Sequence, residues 1–430
     1  MERRRFLAGA GAVTAGTVAA AAPGSPGGAV PGIRRVETGL DVLVDSGFAD
    51  LAGERVGVIS NPTGVDSAYR HLVDLMHASG AVRLAAAFGP EHGFRGSAQA
   101  GGSEGTGVDA RTGVTVYDAY GASRTRWESM FAQAGVDTVV FDIQDVGARF
   151  YTYIWTMYTS MVAAARVGTR YVVLDRPNPV GGRAYGPMMT PAYTSGVGLK
   201  EIVQQHGMTV GELARFFASE FLPAEAGRSV DLHVVRCRHW KRDRFAADTD
   251  LPWVMPSPNM PTPDTALVYP GTGLFEGVAS ITEGRGTCRP FELIGGLADD
   301  FDYHWSDRLN ARDLPGVEFR EAYFTPTAAG QKPALLNRLC AGVEVKVLDR
   351  AAYDPIRTAV AMLVEARRYP AFAWRRDSWD ATRPYWVDKL TGSPRLRTMI
   401  DTGAEVDDVV GAWAGELAAF ERRRAPHLLY

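Results

Sequence analysis

The sequence predicts an α/β fold: a mostly parallel sheet covered by helices on both faces, followed by a smaller α+β C-terminal domain. Three observations predict it. Apolar runs alternate with helically spaced stretches between residues 56 and 236. Those runs are apolar almost throughout, as strands of a parallel sheet buried on both faces are. From about residue 291 the alternation stops and longer strands and amphipathic helices take over. The strands are read at 56–60 (VGVIS), 82–88, 138–142 (TVVFD), 171–175 (YVVLD) and 231–236, and the helices between them at 71–78, 126–135, 160–167 and 209–220. Beyond 291, residues 317–324 and 343–349 read as strands, and 351–366 and 406–424 as helices. The organisation expected is residues 1–34 as a leader and linker, 35–290 as the larger domain and 291–430 as the smaller one.

The leader is plain text. Arg3-Arg4-Arg5-Phe6-Leu7 fits the R-R-x-F-L signal of twin-arginine (Tat) export, an Ala/Gly-rich apolar stretch follows to Ala22, and Ala20-Ala21-Ala22 offers a small-residue cleavage site. The apolar stretch is short and weakly apolar for a membrane span, which needs about 20 residues. Residues 23–34 are a Pro/Gly linker. The expected location is therefore outside the cytoplasm, in the extracellular space, cell wall or periplasm, without membrane attachment after cleavage.

Composition is that of a globular protein, with 46% apolar and 22% charged residues. The formal charge is -3; removing residues 1–22, with three arginines and one glutamate, takes it to about -5. Such a surface argues against nucleic acid as a partner. Three cysteines, Cys237, Cys288 and Cys340, match no zinc spacing. One disulfide is compatible with export; three buried free thiols are the plainer reading. There is no G-x-G-x-x-G after a strand, no G-x-x-x-x-G-K-[ST], no G-x-S-x-G and no H-E-x-x-H. No cofactor is expected. A metal held by Asp142, Asp145, Glu91 and His92 is conceivable but not required.

In open α/β sheets ligands bind beyond the carboxyl ends of the strands, so polar loops there carry the candidates. Glu91 and His92 sit in FGPEHGFRG (88–96), bracketed by glycines that let backbone approach a ligand. A partly desolvated Glu91 suits a general acid; the alternative is a cap for a following turn. In FDIQDVGARFYTY (141–153), Asp142, Asp145, Arg149, Tyr151 and Tyr153 combine hydrogen-bonding groups with aromatic faces, as sugar binding needs. The alternative is an internal Asp145–Arg149 ion pair at helical spacing. Asp175, Arg176 and Asn178 lie in a proline-stiffened loop, and Asn259 lies in another, PSPNMPT (256–262). Glu283 and Arg285, in a glycine-rich loop far along the chain, offer a second carboxylate for two-carboxylate chemistry.

These stretches resemble the bacterial DUF1343 family, whose characterised members are exo-acting β-N-acetylmuramidases of the NamZ type. The likeness is carried by SNPTGVD (60–66), FGPEHGFRG, VFDIQDVGARFYTYI (140–154), LDRPNPVGG (174–182), HGMTVGEL (206–213), PSPNMPT, YPGTGLFEG (269–277) and EGRGTCRPFE (283–292), in order along nearly the whole mature chain. Cys288 stands where the family pattern leads one to expect Thr. The resemblance implies a Rossmann-like domain with a smaller C-terminal domain, a cleft between them, and a peptidoglycan-derived saccharide as substrate. It implies Glu91 as the catalytic carboxylate and Glu283 as a candidate second; Asp142 is the alternative to Glu283 on the residues' own chemistry. Arg95, Arg149, Arg176 and Arg285 are the cations available for the lactyl carboxylate of N-acetylmuramic acid. Retaining, inverting and substrate-assisted routes all stay open. The alternative to an enzyme is an exported binder of muropeptides or sugars without turnover.

Overall fold

Successive strand residues turn to opposite faces, and both faces of the main sheet are buried. In β1 (Arg55–Ser60), Val56 and Val58 join a core with Leu40 and Leu43 of helix Gly39–Asp45 and Leu72, Val73 and Met76 of helix Leu72–Ser79. Ile59 joins the opposite core, made with helices Arg124–Ala134, Tyr153–Val167 and Val210–Glu220. The computed structural model describes residues 35–99, 101–327 and 332–430; the export signal and linker read at 1–34 lie outside the described residues.

The chain continues through β2 (Arg83–Gly89), β3 (Gly107–Val108), β4 (Thr115–Asp118), β5 (Thr138–Asp142) and β6 (Arg170–Leu174). β7 (Tyr185–Met188) and β8 (Val203–Gln205) form a separate antiparallel ribbon, and β9 (Leu232–Val235) closes the main sheet. The strand order is β3-β4-β2-β1-β5-β6-β9, parallel except for β3. From β1 the chain builds outward to β2 and β4, then returns to place β5 on the other side of β1. That reversal opens a crevice beyond the carboxyl ends of the strands.

A second, antiparallel sheet forms from β10 (Ile281–Thr282), β11 (Leu293–Leu297), β12 (Val317–Phe324) and β13 (Cys340–Val347), in the order β10-β11-β13-β12. Helix Pro355–Ala366 packs against helix Pro263–Thr272. Ile294, Val343 and Ile356 belong to the same core cluster as Phe141 and Val173 of the main sheet, so one apolar interior runs through both sheets.

Three helix readings shift; the helix expected at 351–366 starts at Pro355, after its Asp354 cap. The helix expected at 160–167 starts at Tyr153, because the aromatic residues before it are its first buried turn. The final helix, expected at 406–424, is two, Val406–Gly411 and Ala414–Arg424, with buried Trp413 between them. All three cysteines are free; Cys237 and Cys340 are buried as expected, whereas Cys288 is exposed. No helix among the described residues is long and apolar enough to cross a membrane.

Candidate active site

A cavity of about 830 Å³ opens at the carboxyl ends of β2, β4 and β5. Glu91, His92 and Tyr120 line it from the main sheet, Tyr151, Thr152 and Tyr153 from the start of the long helix. Ser257, Asn259, Tyr269, Glu276, Arg285 and Trp386 complete it from later in the chain.

The loop that presents Glu91 is stiff. His92 has φ of 70°, a left-handed conformation uncommon outside glycine. Its amide donates to Gly102 O at 3.0 Å, and its carbonyl accepts from Ala98 N at 3.2 Å. Gly93 follows at φ 85°, where an added Cβ would lie 2.2 Å from the Glu104 side chain. That carboxylate accepts from the amides of Phe94 and Ser97, both at 2.9 Å. Each Glu91 oxygen has one neutral donor: Gly101 N on Oε1 at 2.9 Å and Thr152 Oγ1 on Oε2 at 3.2 Å.

Tyr151, Tyr153, Phe150, Tyr269 and Phe291 form a chain of edge-to-face contacts, with ring centroids 4.6–5.7 Å apart. The Tyr153 hydroxyl donates to Pro256 O at 2.6 Å. Burial pushes the Tyr269 phenol well up, and the charges of Glu276 and Glu91 add to the shift, so one ring feels both carboxylates.

Glu276 sits in the turn Gly273–Gly277. A Cβ at Gly273 would lie 2.8 Å from the Phe150 ring, and one at Gly277 2.6 Å from Val387. Only glycine permits this close seating. Behind Glu276 runs a ladder of charges. Arg285 Nη2 pairs with Glu276 Oε1 at 2.5 Å, Arg285 Nε with Glu283 Oε1 at 3.0 Å, and Lys332 Nζ with Glu283 Oε2 at 2.7 Å. Lys332 also donates to the carbonyls of Phe275, at 2.6 Å, and Ile281. Burial opposes the Glu283 charge, but Lys332 and Arg285 outweigh it and hold the carboxyl below its usual range.

Of the residues singled out from sequence, the cavity gathers Glu91, His92, Tyr151, Tyr153, Asn259 and Arg285. The others serve the scaffold. Glu283 is fully buried behind Arg285 and does not line the cavity, so the acid facing Glu91's side of the cleft is Glu276. Asp142 is wholly buried and bound by both Arg176 Nε (2.5 Å) and Nη2 (2.9 Å), an ion pair that ties β5 to the loop after β6. Asp145 accepts from Gly147 N at 2.7 Å and contacts His206 Nε2 at 3.0 Å, and so does not pair with Arg149. Arg149 is buried, donating to the carbonyls of Pro187, Ile202 and Leu390 at 2.9, 2.8 and 2.6 Å; burial pushes its guanidinium down to about 9. Arg95 pairs with Asp74 and Asp109 at 2.8 and 2.9 Å, clamping the outer side of the Glu91 loop. Asp175 accepts from Arg176 N, Thr209, Gly211 N and Tyr430, and burial pushes it up to about 6. Asn178 accepts from Val180 N and donates to Met208 O. Among the described residues no group of three or more His, Cys, Asp or Glu is placed to hold a metal.

Residues not singled out from the sequence are Glu276, Tyr120, Thr152 and Tyr269, whereas Ser257 lies in the loop 256–262 expected to line the site. Glu276 and Tyr269 bracket the stretch YPGTGLFEG, whose glycine spacing was the available signal.

The fold and cavity define a class: a doubly wound α/β protein with a second, antiparallel domain, whose cleft faces two carboxylates across an aromatic floor. Family models described as exo-beta-N-acetylmuramidase NamZ, N-terminal and C-terminal, match residues 56–264 and 267–430. The chain belongs to this NamZ family. The peptidoglycan beta-N-acetylmuramidase NamZ of Bacillus subtilis is 42% identical over 398 residues, 92% of each chain. Two solved DUF1343 family proteins of Bacteroides fragilis share the fold. One has a TM-score of 0.80 at 32% identity, covering 93% of this chain and 100% of its own. The other has a TM-score of 0.70 at 30% identity, covering 92% and 99%.

Proposed function

We propose that this protein is an exo-acting β-N-acetylmuramidase, a glycoside hydrolase that releases terminal N-acetylmuramic acid from the non-reducing end of peptidoglycan fragments. The observation that carries the reading is a Glu91 carboxyl set at the cavity surface by two neutral donors, with the arginine-paired Glu276 lining the same space. The likeness to the B. subtilis enzyme over nearly the whole chain supports it.

Glycoside hydrolysis needs an acid for the leaving oxygen and a second group for the positive charge that develops on the sugar. Glu91 takes the first role. Thr152 both donates and accepts, so it can follow the carboxyl through proton transfer. Glu276 takes the second, by assisting water or orienting the substrate's own acetamido group. Arg285 keeps Glu276 in place and offers further N–H donors to the lactyl carboxylate. The test is incubation of the purified protein with the disaccharide N-acetylmuramyl-β-1,4-N-acetylglucosamine, with mass detection of the released sugars. Turnover that disappears in Glu91→Gln supports the assignment; a variant as fast as wild type overturns it. A pure binder would hold the disaccharide and release nothing.

Export is part of the same proposal. Arg3 and Arg4 head a Tat-type signal, and the substrate lies beyond the cytoplasmic membrane. Lys replacements at both positions should leave precursor in the cytoplasm; undiminished export of that variant would refute the signal.

A further inference from the structure

A second chamber of about 510 Å³ adjoins the first, within the range of about 300–1,000 Å³ usual for small-molecule sites. The two share Glu91, Tyr120, Thr152 and Val197, so the proposed acid stands on the seam between them. Their linings differ in charge. The first holds Arg285 and Glu276; among the described residues that line the second, the shared Glu91 is the only acidic or basic side chain. One wall of the second is a face of the helix Tyr153–Val167 and its cap, with Thr152, Thr156 and Thr159 spaced i, i+4, i+7 and Trp155 beside them. Ala122 and Trp127, from the preceding loop and helix, also line it. Hydroxyls among apolar and aromatic surfaces suit a neutral sugar, which presents hydroxyl edges and C–H faces.

The bond cut in the proposed reaction joins two chemically different sugars. The one on the non-reducing side carries a lactyl carboxylate; the one on the reducing side is an uncharged N-acetylhexosamine. A general acid must stand at the oxygen between them. We propose that the second chamber is the aglycone site, taking the uncharged N-acetylhexosamine while the arginine-bearing cavity takes the acidic sugar. The assignment rests on the function proposed above, and it explains why Glu91 lies where the chambers meet rather than deep in either.

The experiment fills the second chamber from two separate walls, with Thr156→Trp on the helix and Ala122→Trp on the loop, each checked for folding by thermal denaturation. Three quantities are measured: KM and kcat for the disaccharide, and calorimetric dissociation constants for free N-acetylmuramic acid and free N-acetylglucosamine. Expected is a KM at least tenfold higher, a matching loss of N-acetylglucosamine binding, and N-acetylmuramic acid binding within twofold of wild type. Equal losses for both free sugars overturn the proposal, as does a folded variant with unchanged KM. If the wild type does not turn over the disaccharide, the hydrolase reading fails. The two binding constants then still decide whether the second chamber takes the neutral sugar.

Discussion

The two carboxylates that face the cavity are held in opposite ways. Glu91 rests on a glycine amide and a threonine hydroxyl, with no cation on either oxygen among the described residues. Glu276 is the open end of a ladder that runs through Arg285 and Glu283 to Lys332, with the Glu283 and Lys332 side chains almost wholly out of water. The first is positioned by neutral donors alone, whereas a guanidinium at 2.5 Å pairs with the second. In the proposed reaction the first acid exchanges a proton and the second stays an anion. A glycosidase needs one of each.

The largest effect should follow from breaking the exchanging side. Glu91→Gln can still accept from Gly101 and donate to Thr152 but has no acidic proton, so kcat for disaccharide cleavage should fall by about 10²–10⁴-fold with little change in melting temperature. A drop below tenfold would mean the proton comes from elsewhere.

The staying side breaks next, and breaks differently. Lys332→Met removes a cation that is buried with Glu283 and releases the Phe275 and Ile281 carbonyls on either side of Glu276. The expected cost is about 3 kcal/mol of stability, because Glu283 loses half its pairing inside the protein. The pH dependence should move with it. Glu283's carboxyl lies below its usual range in the folded protein. Its contribution is complete above the unfolded-state value and is lost as pH falls through the folded one. In the variant that loss should begin at higher pH. Denaturant melts of wild type and variant from pH 7 downward would show it, and parallel curves would contradict the ladder.

Glu276→Gln should sit below these, with kcat lowered about 10²-fold, since a neutral amide no longer supports developing positive charge. Stability should change less than in Lys332→Met, because the inner Glu283–Lys332 pair survives.

The contrast between the two sides was only half legible in the sequence. The Glu91 loop could be read because the strand, the glycines and the acid are adjacent, and the strand at 138–142 is apolar and sharply bounded. The ladder is non-local: Arg285 lies nine residues from Glu276, and Lys332 reaches Glu283 from 49 residues away. Glu283 showed itself as an acid in a glycine loop, but nothing local reports that its side chain turns inward. Asp142, Asp175 and Arg176 misled for a related reason. Charges at strand ends mark the crevice side of the sheet, yet a buried charge must first find a partner, and these three bind the loops together instead. The short strands β3, β4, β7, β8 and β10 have too few residues to show a period.

The finest test concerns how Glu91 is aimed. Thr152 contributes the only side-chain hydrogen bond to its carboxylate among the described residues, from the cap of the helix that also walls the second chamber. Thr152→Val keeps the shape and removes the hydroxyl. If that bond orients the acid, kcat should fall about tenfold, the upper end of what one hydrogen bond is worth. N-acetylmuramic acid binding should hold, and Thr152→Ser should restore most of the rate. A general packing defect would instead lower stability and would not be rescued by serine, which is the smaller side chain. A Val variant at the wild-type rate would leave Gly101 as sufficient support, and the exchanging side of the cleft would then be made by the Glu91 loop alone.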